Sequence, residues 1–388
     1  MAQERHKGNL ERELSSARIL MISRFKDGSI GGIPSTVQSL NYIWKNHVRN
    51  ITILQPDNQS RTNLMDDWDL VIFHHPSMFG VMKFLELPNE LKSKSSIIWY
   101  QAVDKETLNN FRRLGVGTHN LVPSIISVNT EIITRRILTN YPGVLNYAIS
   151  ENVRDSLTKA RITSKEKISL IQIPPTLLPD MGISKDFEMR GNGEFVILVV
   201  SRISPEKGIE RVLEIYEQIF KFSETFSESS LKPVKFVVVG EAANKPYGDS
   251  ITERVRELPT NSRCNIELIG KQTGKDLAQS YQDSHIFLMP SVVDSWGLVT
   301  IEAMHYGLPI VSFDAPGTRE IFSVSKDEIG KIVNNIRASS ELITQIMKDK
   351  TLWSRFSRGA LNESRKYLPE EVSLNLLKKL WSDRYNTK

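Results

Sequence analysis

Two carboxylates stand close together in the stretch PSVVDSWGLVTIEAMHYGLPIVSFDAPG, residues 290–317. Asp294 and Glu302 are separated by seven residues, which include Trp296, Gly297 and Leu298. The residues before Asp294 predict a buried strand, and TIEAMHYG predicts a short helix that a glycine closes. Each carboxylate has two oxygens that can accept hydrogen bonds from a vicinal diol. The pair therefore indicates a site for hydroxyl-rich rings, although a buried ion pair or a charge at a helix start explains the same spacing.

The turn between these acids has its own chemistry. Gly297 permits the backbone to approach a ligand closely. We expect the N–H groups of Gly297, Leu298 and Val299 to meet a phosphate or a sugar hydroxyl, since a helix begins here. Two acids on either side of such a turn would hold a sugar on one side and a ribose on the other. This is the geometry of a nucleotide-sugar site.

A second loop carries cations. SRISPEKGIERVLEIYEQIF follows the apolar run FVILVV, and Arg202 and Lys207 flank the predicted helix start. We expect Ser204 to cap this helix and Pro205 to occupy its first turn. Two fixed cations beside a helix N-terminus could neutralise a diphosphate without a metal ion. Two ordinary solvent-facing side chains remain the alternative.

The apolar runs of the sequence predict the strands that position these loops. In the first half, strands are predicted at 18–24, 50–56, 70–75, 96–102, 144–150 and 168–174. In the second half, they are predicted at 195–200, 235–240, 266–270, 285–290 and 308–313. Segments with helical spacing alternate with these strands, which predicts parallel sheets covered on both faces. Ligands of such sheets bind outside the carboxyl ends of the strands.

The alternation of strands and helices stops once. Residues 174–194 are rich in proline and glycine and show no periodicity, so we interpret them as an interdomain linker. The fold class predicted is α/β, with two Rossmann-like doubly wound sheets in tandem. We assign residues 1–180 to a first domain and residues 181–367 to a second.

Composition narrows the class of protein. The chain has 388 residues, 40% of them hydrophobic and 24% charged, which predicts a soluble globular protein of two domains. No apolar run approaches the ~20 residues of a membrane-spanning helix. The only cysteine, Cys264, excludes a disulfide framework and a cysteine zinc site. A cytoplasmic location fits best. The net charge of +5 favours an anionic ligand or a passing contact with anionic lipid, and does not indicate nucleic-acid binding.

Several motifs of this sequence together resemble those of a known enzyme family. VVSRISPEKGIERVL, VVVGE, IELIG, HIFLMPS and VVDSWGLVTIEAMHYGLPIV occur in the order and spacing of the retaining glycosyltransferases of family 4. The resemblance spans nearly the whole chain and is most specific in the C-terminal half. It implies the GT-B architecture, in which two Rossmann-like domains face each other across a cleft. The stretch 28–40, GSIGGIPSTVQSL, resembles the family's glycine-rich loop. The resemblance implies that residues 1–180 bind the acceptor, that residues 181–367 bind the donor, and that a helix at 368–388 packs back on the first domain.

The resemblance also implies roles for individual residues. Glu302 should bind the ribose diol, Asp294 the hydroxyls of the donor sugar, and Arg202 with Lys207 the diphosphate, whose departing charge they stabilise. Gly31 and Gly32 should let the backbone reach the diphosphate and the acceptor. The remaining donor-binding residues expected are Gly240, Lys271, Trp296, Gly297, Leu298 and Val299. No cofactor or metal site is expected, because the nucleoside diphosphate sugar is itself the donor substrate.

This sequence departs from the family pattern at two places. The family usually has glutamate where this chain has Asp294, which is one methylene shorter. It often has histidine at the end of the fourth strand, where IIWYQAVD places Gln101. Gln101 can hydrogen-bond a sugar hydroxyl but cannot act as an acid or base. Trp99 and Tyr100 could stack on the acceptor or pack in the core, and a structural role is favoured for the pair His74-His75.

The sequence therefore predicts a metal-independent, retaining hexosyltransferase that moves a sugar from a UDP- or GDP-sugar to an acceptor hydroxyl. In this family the leaving diphosphate is thought to help deprotonate the acceptor on the same face, so no protein base is required. The acceptor can be a small molecule, a glycan or a lipid-linked compound. Two alternatives stay open: a catalytically silent GT-B homologue that stabilises a partner, and a nucleotide-sugar epimerase.

Overall fold

The computed structural model describes residues 10–25, 32–57, 63–75, 77–101, 135–179, 187–188, 190–224 and 232–385. Contacts divide the chain into two compact units. The first contains the described residues up to Thr176 together with those from Leu368 onward. The second contains the described residues of Leu177–Tyr367.

The first unit is built on a parallel sheet of six strands. They are β1 (Arg18–Ser23), β2 (Asn50–Leu54), β3 (Leu70–His74), β4 (Ser95–Trp99), β5 (Leu145–Ala148) and β6 (Ile168–Leu170). Their order in the sheet is β2-β1-β3-β4-β5-β6. All five residues of β3 are buried, as expected where helices cover both faces of a sheet. The helices named here are α1 (Gly32–Trp44), α2 (Met78–Glu86), α3 (Asn89–Ser93) and α4 (Glu151–Lys159).

The second unit repeats this design. Its strands are β7 (Phe195–Val200), β8 (Val234–Val239), β9 (Cys264–Gly270), β10 (Ile286–Met289), β11 (Ile310–Phe313) and β12 (Gly330–Val333). Its helices are α5 (Ile209–Ser223), α6 (Lys245–Glu257), α7 (Gly274–Gln282), α8 (Leu298–His305), α9 (Pro316–Val324), α10 (Ile336–Lys348) and α11 (Lys350–Ser364). The parallel strands follow the order β12-β11-β10-β7-β8-β9. The chain therefore reverses direction across the sheet between β7 and β10, the kind of switch point where doubly wound folds bind ligands.

The core of the second unit lies where α5 and α10 cover this sheet. The apolar face predicted for α5, which includes Ile209, Val212 and Tyr216, is buried. Burying each of these large side chains contributes roughly 1.5–3 kcal/mol. Lys221, on the opposite face, is exposed, so one amphipathic segment fixes the end of the loop that precedes it.

The C-terminal helix α12 (Pro369–Tyr385) belongs to the first unit. The indole N–H of Trp44 in α1 donates to the carbonyl of Ser373 at 2.9 Å. Near the end of α12, Arg384 donates to the carbonyls of Ser93 and Ser95 at 2.6 and 2.7 Å, where β4 begins. The last helix thus completes a domain whose other elements come from the beginning of the chain.

The predicted fold class is confirmed, and so is every strand predicted from an apolar run, within a few residues at the ends. One strand was missed: β12, whose sequence GKIV is short and exposes Lys331. The linker predicted at 174–194 lies partly outside the described residues. None of the helices in the described ranges is both long and apolar enough to cross a membrane.

Candidate active site

The candidate site is formed by two loops of the second unit that leave neighbouring strands. β7 and β10 are paired in parallel, so residues 201–208 and 290–297 emerge at the same edge of the sheet. The backbone N–H groups of Val292 and Val293 donate to the carbonyl of Glu206 at 2.9 and 3.3 Å. The cationic loop and the acidic loop are therefore joined directly.

Glycine makes this close approach possible. Gly208 has a φ of 68°, and a Cβ there would lie 2.3 Å from the carbonyl oxygen of Pro290. A 3-10 turn, Pro205–Lys207, ends at Gly208, and α5 begins only at Ile209. The prediction that Ser204 caps the helix is wrong, because its hydroxyl instead donates to the carboxylate of Glu206 at 2.7 Å. Gly208, in the left-handed conformation, therefore separates the turn from the helix and leaves room for the carbonyl of Pro290.

The acidic loop is organised by Asp294. Its Oδ1 accepts from the N–H groups of Trp296 and Gly297 at 3.1 and 2.5 Å. Gly297, with a φ of 76°, precedes α8. The N–H of Gly297 thus donates to Asp294, so a ligand that used this N–H would share or replace that hydrogen bond. The expectation for Gly297 stays a prediction. Leu298 and Val299 begin α8, where the first N–H groups have no acceptor within the helix. The expectation that these two N–H groups meet a ligand stays a prediction.

Lys207 and Asp294 meet across the two loops. The Nζ of Lys207 lies 2.6 Å from Oδ2 of Asp294, and the side chains are 19% and 12% exposed. Burial by itself raises the pKa of Asp294, but Lys207 and the two amides outweigh it and hold the pKa below the usual value. Asp294 is therefore ionised at neutral pH. The ion pair that the spacing alone left open as an alternative is present here, and it joins a predicted cation to a predicted acid.

Arg202 has an acidic partner that the sequence prediction did not include. Its Nη2 lies 3.0 Å from Oε1 of Glu206, a residue that is 2% exposed, while the Arg202 side chain is 46% exposed. The same carboxylate oxygen of Glu206, Oε1, accepts hydrogen bonds from the guanidinium of Arg202 and from the hydroxyl of Ser204. The spacing of four residues in SRISPEKG was the available signal, because it suits an ion pair around a single turn.

Glu302 lies in the second turn of α8 and is 4% exposed. Its Oε2 accepts a hydrogen bond from the hydroxyl of Tyr281, in α7, at 2.9 Å. Both side chains are buried, and their hydrogen bond joins α7 to α8. Tyr281 was missed by sequence reasoning, since no motif links it to a residue 21 positions later.

Gly240 and Lys271 follow the next two strands. Gly240, at the end of β8, has a φ of 149°, and its N–H donates to the carbonyl of Gly270 at 2.8 Å. Lys271 comes directly after β9 and is exposed. The carboxyl ends of β7, β8, β9 and β10 thus carry all the predicted donor-binding residues of the second unit except those in α8.

The position of Gly240 gives a first prediction. A Cβ there would lie 1.8 Å from the carbonyl oxygen of Ser201, beside Arg202. We expect Gly240→Ala to lower the free energy of unfolding by about 2 kcal/mol or more, because the strand-end loops must separate. Chemical denaturation measures this. Gly193→Ala is the matched control, since Gly193 has a φ of 92° and no atom within 4 Å of the added Cβ. Equal losses in the two variants would refute the clash.

In the first unit, the structure decides between the alternatives for the aromatic residues. Trp99 and Tyr100 are buried, and the hydroxyl of Tyr100 lies 2.8 Å from Nδ1 of His74. Burial lowers the pKa of His74 to about 3, so the ring is neutral. These residues pack in the core, as does the buried His75. Gln101 is half-buried just past β4, Gly32 is exposed at the start of α1, and Gly31 lies outside the described residues.

Within the described part of the chain, no group of three His, Cys, Asp or Glu side chains is placed to hold a metal ion.

Comparison with known structures supports the fold. HepE of Anabaena, solved in complex with UDP and glucose, has a TM-score of 0.68 and 16% identity over 94% of this chain and 100% of that chain. Sucrose-phosphate synthase from Thermosynechococcus elongatus has a TM-score of 0.70 and 15% identity over 96% of this chain and 100% of that chain. With the two parallel six-stranded sheets, these likenesses define the GT-B class of fold.

Sequence comparison identifies the second unit. The model of the family described as glycosyl transferases group 1 matches residues 183–363. The match falls in the region whose motifs carry the resemblance, and it supports that resemblance. Alpha-monoglucosyldiacylglycerol synthase of Acholeplasma laidlawii is 26% identical over 41% of this chain and 38% of its own length. D-inositol 3-phosphate glycosyltransferase of Rhodococcus erythropolis is 29% identical over 37% of this chain and 31% of its own length. The chain thus matches well under half the length of both relatives.

Proposed function

We propose that this protein is a retaining glycosyltransferase of family 4 that moves a hexose from a nucleoside diphosphate sugar to an acceptor hydroxyl. The observation that carries the proposal is the contact between Lys207 and Asp294, 2.6 Å long, from loops after neighbouring strands. It lies at the switch point of the sheet and inside the region that matches the group 1 glycosyl transferases. The UDP complexes of HepE support a UDP-sugar as the donor.

Each part of the donor would be bound by residues of matching chemistry. Lys207 and Arg202 bind the diphosphate, and the N–H groups of Leu298 and Val299 support it at the start of α8. Asp294 accepts from the hydroxyls of the transferred sugar. The ion pair keeps both charges in place before the donor binds, so little reorganisation accompanies binding. Glu302 accepts from the ribose, and Gly240 and Lys271 contribute at the neighbouring strand ends.

The transfer step follows from the charge that develops. As the bond between the anomeric carbon and the diphosphate breaks, negative charge collects on the phosphate oxygens. Lys207 and Arg202 stabilise that charge, which is the largest contribution a protein group makes in reactions of this type. The leaving diphosphate accepts the proton of the acceptor hydroxyl on the same face, so the configuration is retained. The proposal uses no metal ion and no basic side chain.

The acceptor would be held by the first unit. Gly31, Gly32 and Gln101 are the residues proposed there, with Gln101 as a hydrogen-bonding group and not a base. The named relatives are a synthase of a glucosyldiacylglycerol and a glycosyltransferase named for D-inositol 3-phosphate, so a small molecule, a glycan and a lipid-linked compound are all compatible as acceptors. We place the reaction in the cytoplasm, where nucleotide sugars are available, with contact at a membrane surface if the acceptor is a lipid.

Binding and turnover can be tested separately on the full chain. We expect one nucleoside diphosphate among UDP, GDP and ADP to stabilise the protein by about 2.7 kcal/mol at a hundredfold excess over its Kd. Thermal shift across this panel and the corresponding sugar nucleotides finds the donor. Release of free sugar from that donor, followed by NMR, then reports slow hydrolysis and the anomer formed.

Each alternative has its own result. Release of the retained anomer, lost in Lys207→Ala, supports the transferase. Donor binding without any hydrolysis or transfer would support a silent homologue, which Gln101 keeps open as a hypothesis. Conversion of the donor to its epimer would support the epimerase, and no binding in the whole panel would remove the proposal.

A further inference from the structure

We propose that Tyr281 is a positioning residue whose hydroxyl sets the orientation in which Glu302 receives the ribose of the donor. The inference rests on the proposed function, because it takes Glu302 as the ribose-binding group. It adds a residue in a different helix, α7, outside the motifs that define the site.

The contact itself is short and shielded. The hydroxyl of Tyr281 donates to Oε2 of Glu302 at 2.9 Å, and the two side chains are 0% and 4% exposed. A hydrogen bond to an ionised acceptor in a buried place is stronger and shorter than one between neutral groups. Because this bond holds one oxygen of the carboxylate, it limits the positions that the other oxygen can take.

Tyr281 is itself held rigidly. Its ring stacks on the ring of Tyr306, with centroids 5.4 Å apart and an interplanar angle of 10°. The guanidinium of Arg190, 1% exposed, donates to the carbonyls of Gln282, Ser284 and Tyr306 at 3.0, 2.8 and 2.6 Å. These carbonyls lie at the ends of α7 and α8, where a cation is favourable. The two helices that carry Tyr281 and Glu302 are therefore locked at their C-terminal ends by one side chain.

The direction of the hydrogen bond does not change with pH in the working range. Burial raises the pKa of Tyr281 far above its ordinary value, and the neighbouring charge of Glu302 raises it further. Tyr281 stays protonated and is always the donor. Glu302 consequently presents acceptor oxygens to its ligand, which is what the two hydroxyls of a ribose require.

A free glutamate needs this support. Its side chain rotates about three bonds, and holding it in one geometry costs conformational entropy at the moment of binding. When a neighbour fixes it beforehand, that cost is already met during folding, and binding discriminates better between ligands that have or lack a hydroxyl. The expected function of Tyr281 is thus discrimination at the ribose, while catalysis stays with Lys207 and Arg202.

The test compares ribonucleotides with 2′-deoxyribonucleotides. Isothermal titration of UDP, GDP and ADP, and of their 2′-deoxy forms, is carried out on the wild-type chain and on Tyr281→Phe. We expect the wild type to prefer the best ribonucleotide over its deoxy form by about tenfold, one charge-assisted hydrogen bond. In Tyr281→Phe this preference should fall to about twofold, with the deoxy form bound almost as before. In turnover, KM should rise while kcat changes little.

Two further proteins separate positioning from folding. Tyr216→Phe is the matched control, because Tyr216 is equally buried and its hydroxyl donates to the carbonyl of Pro259, outside the candidate site. It should keep the wild-type preference. In a Glu302→Ala background, Tyr281→Phe should change nucleotide affinity by less than twofold, since Tyr281 acts through Glu302.

The outcomes distinguish the two claims. If the wild-type chain binds none of the nucleotides, the proposed function fails and this inference fails with it. If the wild type discriminates and Tyr281→Phe discriminates equally, or if Tyr216→Phe loses the preference as well, only the positioning role is overturned. If Tyr281→Phe does not fold alone, the double variant Tyr281→Phe, Glu302→Ala, in which no carboxylate is left unpaired, is compared with Glu302→Ala. A further loss of affinity above twofold then contradicts the inference.

Discussion

Replacing Lys207 by alanine should lower the rate of sugar transfer by about 10²- to 10³-fold, the cost of removing one preorganised group from a developing negative charge. Lys207 occupies the turn before α5 and is bound to Asp294 at 2.6 Å, so its position does not depend on the donor. We expect kcat to fall more than KM rises, because the interaction is strongest when the diphosphate leaves. The measurement is initial rates of transfer or of donor hydrolysis.

A matched control isolates the charge at this position. Lys221, in the last turn of the same helix, is exposed, and Lys221→Ala should leave the rate within a factor of two. Lys207→Ala should also lower the free energy of unfolding, by about 2–3 kcal/mol, because Asp294, 12% exposed, loses its charge partner. The rates are therefore compared at a temperature where both variants are folded. An alanine variant that retains more than a tenth of wild-type activity would show that the diphosphate is stabilised elsewhere.

Replacing Asp294 by asparagine should have a large effect on both activity and stability. The amide can still accept from Trp296 and Gly297, but Lys207, 19% exposed, loses its charge partner. Leaving a largely buried charge unpaired costs about 2–3 kcal/mol of unfolding free energy, at or below the lower end of the range for buried pairs. Activity should fall about 10²-fold, because both the sugar contact and the orientation of Lys207 are weakened.

The pH dependence of this loss has a definite sign. The pKa of Asp294 is lower in the folded protein than in the unfolded chain, where it is about 3.9. The stability that its charge contributes is therefore fully present above the unfolded pKa and is lost as pH falls through the folded pKa. The difference between the wild type and Asp294→Asn should stay constant from pH 7 to about pH 5 and close below pH 4. Urea unfolding at each pH gives the curve, and a difference that grows on acidification would contradict the assignment.

Much of the fold could be predicted because short apolar runs and helical spacing are local signals. FVILVV and KFVVVG predict β7 and β8, and both are present at nearly the same residues. β12 could not be recognised this way, because GKIV buries only part of its length at the edge of a sheet. The start of α5 was misplaced for a related reason: the position of Gly208 is set by the carbonyl of Pro290, 82 residues away in the chain.

In the candidate site, too, some residues could be identified from sequence motifs and others only from the folded structure. Arg202, Lys207, Asp294 and Glu302 could be named because they stand in recognisable motifs, and their roles remain predictions. Glu206, Tyr281 and Arg190 could not be named, because each acts on atoms that only folding brings near. The hydrogen bond from the N–H of Gly297 to Asp294 was not predicted either, although an aspartate two or three residues earlier can accept such a bond.

The sequence by itself determined the class of fold, the two loops and the charges they carry, because residue type, periodicity and spacing along the chain are sufficient for these. Only the tertiary structure decided which charges are paired, which glycines are indispensable and which neighbours hold each side chain. The physical reason is distance: hydrogen bonds and ion pairs act within about 3–4 Å, and Lys207 and Asp294, which meet at 2.6 Å, are 87 residues apart along the chain.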